Sequence, residues 1–143
     1  MDYTYPCRIE RDGDGWVASF PDVPEALTGA KDYEQTIELA ADALVSALGR
    51  SYMERRRELP PPGARTHGEV LIRVPALVVG KLALYSTMRR NRITRVELAR
   101  RLAVSVTTVR RIVDPEHRSH IEQVERALRA VGRELVVGDR AIA

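Results

Sequence analysis

Residues 94–113 read TRVELARRLAVSVTTVRRIV, and their spacing predicts two short helices meeting at a tight corner. Thr94 with Glu97 three residues later forms a capping box that opens the first helix, and Ser105 is a good N-cap for the second. Helices that cross closely need a small residue where their backbones approach, and Ala99 supplies one. Leu98, Leu102, Val104, Val109 and Ile112 fall where apolar side chains must lock the pair together. The connection Ala103-Val104-Ser105 is short enough for a helix-turn-helix. Glycine usually holds the turn position occupied here by Ala103, and a left-handed alanine costs roughly 1–2 kcal/mol. The second helix turns Ser105, Thr107, Thr108, Arg110 and Arg111 outward, with Arg95 on the first. These are residue types that read base edges and phosphates of double-stranded DNA. A plain helical corner whose arginines merely solvate a face is the competing reading. The crowd of Arg89, Arg90, Arg92, Arg95, Arg100 and Arg101 around the motif weighs against it.

The charge distribution extends the argument to the whole chain. The 143 residues carry a net charge of +3, but unevenly. Residues 1–80 hold 9 Lys+Arg against 13 Asp+Glu, a net of −4, while residues 81–143 hold 14 against 7, a net of +7. Such asymmetry predicts two domains with opposite partners, a polyanion for the second and something basic for the first. With 44% hydrophobic and 30% charged residues the composition is that of a folded globular protein, which argues against disorder. No run approaches the ~18 apolar residues of a membrane span, and residues 1–4 do not open a signal peptide. The single cysteine, Cys7, allows no intrachain disulfide and fits a reducing compartment, so a cytoplasmic location is expected.

The first domain, residues 1–80, reads as β-β-β-α-β. Tyr3, Tyr5, Cys7 and Ile9 alternate with polar residues, the period of a half-buried strand, and Pro6 places that strand locally at an edge. Asp12-Gly13-Asp14-Gly15 turns the chain, and a return strand over residues 16–20 puts Trp16, Ala18 and Phe20 on one face. A third strand is expected around residues 26–29. Asp32 and Gln35 then cap a helix whose stripe Tyr33, Ile37, Ala41, Leu44, Leu48 and Tyr52 is read as facing the sheet. Pro60-Pro61-Pro62-Gly63 breaks the chain before a last strand with Val70, Ile72 and Val74 inward.

From Ala76 the pattern is helical. Leu77, Leu84, Tyr85 and Met88 mark a helix in which Gly80 is a weak point. Ser119-His120-Ile121-Glu122 reads as another capping box, opening a helix with Ile121, Val124, Leu128 and Val131 inward. Leu135-Val136-Val137 is read as a short final strand, available to pair across a dimer.

Catalytic patterns are weak. His67, His117 and His120 are scattered, and no Cys, Asp or Glu completes a metal set with them. Asp12, Asp14 and Asp22 sit beside Gly and Pro as turn residues rather than as a Mg²⁺ cluster. No metal site, no cofactor and no enzymatic activity are expected.

Gly15-Trp16-Val17-Ala18-Ser19-Phe20-Pro21-Asp22-Val23-Pro24, then Leu27-Thr28-Gly29 and an Ala- and Leu-rich capped helix, resembles the N-terminal domain of HicB-type antitoxins. Residues 96–102 and 114–119 resemble the helix-turn-helix branch of that family. The resemblance implies an α+β protein: a partial ribonuclease-H-like fold over residues 1–80, followed by an all-α helix-turn-helix domain over residues 81–143. It implies that the first domain neutralises a small basic HicA-type toxin that cleaves mRNA, and that the second dimerises and represses the operon. Trp16, Phe20, Asp22 and Glu25 are the surface where toxin contacts are expected, with burial under the helix the better reading for Trp16 and Phe20. Ribonuclease H chemistry needs carboxylates on its strands, and residues 3–9 offer no aspartate. The rival to the antitoxin is a one-component transcriptional regulator whose N-terminal domain senses a ligand. A DNA-targeted nuclease is a more remote one.

Overall fold

The N-terminal alternation becomes β1 (Thr4–Asp12), joined by a tight turn to β2 (Gly15–Ser19) and followed by β3 (Leu27–Ala30). Asp12 pairs with Gly15, and Gly13 takes the positive φ of +56° that this reversal demands. A 15-residue helix, α1 (Tyr33–Ala47), runs on into a π-helical turn (Leu48–Met53), and β4 (Val70–Arg73) closes the sheet. The order is β3-β2-β1-β4, every pair antiparallel. This is a computed structural model; it describes residues 2–142 and divides the chain into two compact units, Met1–Pro75 and Ala76–Ala143. The division falls ahead of Ala76-Leu77-Val78-Val79-Gly80, which carry no charge, so the −4 and +7 pass unchanged to the two units.

Pro6 explains how β1 is shared. Its ladder to β4 runs from Thr4 to Cys7, and its ladder to β2 begins only at Arg8. The proline therefore lies where β1 has one neighbour, so its missing N–H breaks no second ladder. Tyr3, Tyr5 and Cys7 are buried together with Ala18, Phe20, Ile72 and Val74. Burial pushes the Cys7 thiol up to about 11, which leaves it protonated and inert.

The second half of the expected stripe, Leu44, Leu48 and Tyr52, is buried, but along the first half of α1 the buried face is a different one. Thr36, Ala40, Leu44 and Ala47 are the buried residues, whereas Tyr33, Ile37 and Ala41 lie half-buried on the flank. Thr36 tolerates complete burial because its hydroxyl donates to the Asp32 carbonyl at 2.8 Å. The small side chains let α1 lie close on the sheet. Asp32 caps the helix as expected, accepting from the Glu34 amide.

The second unit is built from α2 (Ala76–Asn91), α3 (Arg95–Leu102), α4 (Val106–Val113) and α5 (Ile121–Ala130). Leu82, Leu84, Leu98, Val109, Val124 and Leu128 form its core, each burial worth about 1.5–3 kcal/mol. Leu77 is only half-buried. Gly80 is a point of close approach, since a Cβ there would meet Val124 Cγ1 at 2.9 Å. Two further expectations are corrected. Ile121 opens α5 at 37% exposed, because it precedes the stretch held against α2, and Ala127 takes the inward place. Residues 135–137 form no strand, having no neighbouring strand within the unit to pair with.

Candidate nucleic-acid and partner interfaces

The corner between α3 and α4 is assembled by local chemistry. Thr94 Oγ1 accepts the Glu97 amide at 3.0 Å, starting α3. Ala103 ends it in the left-handed conformation, at φ 55° and ψ 45°, and the Val104 amide returns to the Ala99 carbonyl. Ser105 Oγ then accepts the Thr108 amide at 3.1 Å and lies 2.9 Å from the Thr108 hydroxyl, starting α4. Leu98 and Ala99 pack with Val109, Ile112 and Val113, all buried, while Leu102 and Val104 are half-buried.

Helical spacing of three and four residues then gathers Thr107, Arg110 and Arg111 on one exposed side of α4. Ser105 is exposed beside them, and Thr108 and Arg95 are half-buried. The hydroxyls of Ser105 and Thr108 are engaged with each other at the cap. The flanking arginines divide into two groups. Arg100 and Arg101 are both held by Glu97, Arg101 Nε at 3.0 Å and Arg100 Nη2 at 2.6 Å. Arg101 also donates to the Ala130 carbonyl. These bonds hold the Glu97 carboxyl down to about 2. Among the described residues, neither Arg110 nor Arg111 pairs with a carboxylate.

The residue that fixes the far end of α4 is Lys81, which the sequence reading passed over. Its side chain is fully buried, and Nζ donates to the carbonyls of Arg111 (3.0 Å), Asp114 (2.7 Å) and His117 (2.7 Å), with Ser119 Oγ at 2.8 Å. Carbonyls at a helix C-terminus lack intrahelical donors, and an ammonium from α2 supplies them here. Burial draws this ammonium down to about 8, against the pull of the Asp114 carboxylate. A lysine among Val78, Leu82, Leu84 and Tyr85 was the available signal. The same contact corrects the expected capping box at Ser119. His120 is the N-cap of α5 and makes no side-chain cap bond, because the Ser119 hydroxyl is engaged by Lys81 and the Arg111 carbonyl.

In the first unit, Phe20 takes the buried reading rather than the contact: it is 1% exposed, just after the end of β2. Trp16 is half-buried, edge-on to Tyr33 at 5.1 Å, with the Arg11 guanidinium 4.9 Å from its ring centre. Asp22 accepts the Gly63 amide at 2.8 Å. Exposed Glu25 accepts from the Tyr52 hydroxyl at 2.7 Å and pairs with Arg57 at 3.4 Å. Its slight burial opposes ionisation, but these two bonds prevail and hold the carboxyl below the usual range. Asp22 and Glu25 thus fasten the loop between β2 and β3 to the segment after α1. The described residues contain no group of three or more His, Cys, Asp and Glu able to hold a metal ion; Asp12 closes the hairpin opposite Gly15 and Asp14 lies in its turn. No described helix is long and apolar enough to cross a membrane.

A family profile described as "HicB_like antitoxin of bacterial toxin-antitoxin system" matches residues 4–83, more than half the chain. The chain belongs to the HicB-like antitoxin family. Antitoxin HicB 2 of Photorhabdus laumondii is 42% identical over 131 residues, 92% of both chains. Antitoxin HicB of Pseudomonas fluorescens is 35% identical over 133 residues, 92% of this chain and 90% of its own. Antitoxin HicB of Escherichia coli K12 is 34% identical over 121 residues, covering 85% and 87%. The alignments extend past the profile match, so this HicB-like chain shares its second unit with these relatives as well as its first. By this similarity it is an antitoxin of a toxin–antitoxin system.

Proposed function

We propose that the first unit binds and neutralises a small basic HicA-type toxin that cleaves mRNA, and that the second unit represses the operon encoding both. In this reading α3, Ala103 and α4 are a helix-turn-helix, with α4 as the helix that enters the major groove. Arg110 and Thr107 face base edges, and Arg111, Ser105 and Arg95 face phosphates. The observation that carries the reading is the exposed Thr107–Arg110–Arg111 side of α4, paired with a unit charge of +7. A basic protein partner suits the −4 unit, which is read as a reduced ribonuclease-H-like domain used for binding alone. Trp16 and the rim of the Asp22–Glu25 loop are the surface assigned to the toxin. The protein works as a homodimer or a higher homo-oligomer, because two-fold operators need two recognition helices.

The test separates the two roles. The small neighbouring gene is expressed with the full chain, or with the full chain carrying Arg110→Ala and Arg111→Ala. Growth rescue by both, with operator binding lost only in the double variant, is the expected result. Absence of toxicity, or no rescue by the unaltered chain, turns the reading towards a ligand-sensing regulator.

A further inference from the structure

The helices of the second unit do not all end in the same way. Arg92 after α2, Ala103 after α3 and Gly132 after α5 are left-handed, at φ 55°, 55° and 82°. In each case the next amide turns back into the helix, Ile93 to Met88, Val104 to Ala99 and Arg133 to Leu128. The end of α4 is built differently. Asp114 leaves it extended, at φ −65° and ψ 115°, with its amide returned to Arg110. The Arg111 carbonyl is held from another helix, by Lys81, 30 residues earlier in the chain. A buried ammonium is a costly way to end a helix, since a left-handed residue would do so locally. What it provides instead is a link from α2 to the helix that carries Thr107, Arg110 and Arg111 on its outer side.

That link depends on the lysine proton. An ammonium has three N–H groups, and the carbonyls of Arg111, Asp114 and His117 engage all three. A neutral amine has two and a lone pair, so one carbonyl must then face the lone pair. By geometry Arg111 is the first to be released. Its bond is the longest, 3.0 Å against 2.7 Å for the other two, and the Ser119 hydroxyl already donates to it at 3.2 Å. The Arg111 carbonyl belongs to α4 itself, whereas the other two lie in the turn beyond it.

We propose that Lys81 is the positioning residue of the recognition helix: protonated, it holds the Arg111 end of α4 so that Thr107 and Arg110 meet the operator bases together, and loss of its proton frees that end. The proposal rests on the DNA-binding reading for its consequence, while the hold on α4 is a property of the free chain.

Few titratable groups face the ammonium. The end of α4 brings the Asp114 carboxylate, whose attraction opposes proton loss, and the turn brings the His117 imidazole, 3.2 Å from Ser119 Oγ. From α5 the buried residues are Val124, Ala127 and Leu128, none of them charged, and α2 itself adds the phenol of Tyr85 one turn on. Burial brings the lysine down to about 8 from an ordinary 10.5. Between those values the folded chain has lost a proton that the unfolded chain keeps, so this group's contribution to stability grows with pH. Weaker operator binding in that window is therefore not unfolding.

The test uses the full chain and a duplex covering the promoter of its own operon, with an unrelated duplex of equal length beside it, titrated from pH 7 to pH 10. Carbon-detected NMR on the free chain follows Lys81 Cε together with the carbonyl carbons of Arg111, Asp114 and His117. The carbonyl carbons are expected to move with the lysine. Promoter affinity should fall roughly tenfold over the same range, the loss of one well-placed base contact. The unrelated duplex should be bound almost equally throughout, because phosphate contacts do not need α4 at one angle. Asp114→Asn removes the opposing carboxylate and should carry both the lysine titration and the fall in affinity to lower pH. Carbonyl carbons that ignore the lysine, a lysine still protonated at pH 10, or promoter affinity that stays level while the lysine titrates would each overturn the proposal. So would a fall in affinity that stays in place in Asp114→Asn while the lysine titration moves. If the carbonyls follow the lysine and the promoter is bound at no pH, the hold on α4 stands and the DNA reading falls.

Discussion

The two units put their charged side chains to opposite uses. In the acidic unit, the carboxylates that stood out in the sequence are engaged in structural tasks at the surface. Asp22 holds Gly63, and Glu25 holds Tyr52 and Arg57. In the basic unit, Glu97 occupies Arg100 and Arg101, while Arg110 and Arg111 stand on the exposed side of α4 and, among the described residues, pair with no carboxylate. The lesson is that net charge identifies a partner's sign, whereas only the bonding of each group tells which charges are available to it. Exposed ion pairs add little stability, so a free arginine costs the fold little and is at hand for a ligand.

The contrast breaks most visibly at Lys81, a buried charge of the basic unit spent on structure. Lys81→Met removes the charged donor that three carbonyls share and is expected to destabilise the second unit by about 3 kcal/mol. Urea unfolding followed by the fluorescence of Trp16, the single tryptophan, reports the first unit, and helical circular dichroism weights the second. Movement of the helical transition alone is the expected outcome; a matching shift in fluorescence would mean that the units share their stability. Next in size, Arg110→Ala should cost about 1–3 kcal/mol of operator binding and leave toxin neutralisation intact, as titration on operator DNA and a growth assay would show. Equal operator affinity would move Arg110 from the reading surface to the solvated one.

Smaller effects sharpen the picture. Ala103→Gly removes the left-handed strain at φ 55° and should raise the helical unit's stability by about 1 kcal/mol, measured from the denaturation midpoint. Smallest is the pH dependence of Glu97. Its folded pKa of about 2 lies below the ordinary 4.5, so its contribution is complete above 4.5 and fades as the pH falls towards 2. An acid-unfolding curve should therefore be shallower across that window in Glu97→Gln. Superimposable curves would place Arg100 and Arg101 in solvent rather than on the carboxylate.

What was legible in the sequence follows from what each pattern measures. Period-2 alternation at Tyr3, Tyr5 and Cys7 reports strand geometry directly, and those residues are buried as expected. The hydroxyl caps Thr94 and Ser105 act within three residues and were equally readable. The stripe held at Leu44, Leu48 and Tyr52 but misled at Tyr33, Ile37 and Ala41, because apolar character was counted, whereas close packing on the sheet favours small Ala40 and Ala47 and a self-satisfied Thr36. Ser119 carried a good local capping signal, yet a lysine 38 residues earlier claims its hydroxyl. Phe20 can be a contact or a core residue by sequence, and only its near-complete burial decides. Local rules were readable; competition from distant residues was not.

The divided strand β1 also sets an order of assembly. Its second half closes on β2 across a two-residue turn, while its first half waits for β4, with Cys7 opposite Val70. The hairpin forms from neighbours in sequence, but the remaining ladder closes a loop of some sixty residues, a slower step. During synthesis the earliest strand is thus finished by the last one of its own sheet, shortly before α2 begins. Because domains fold from the N-terminus as they emerge, the half assigned to the toxin is complete before the half assigned to the operator exists. Protection would then be established on the ribosome ahead of repression.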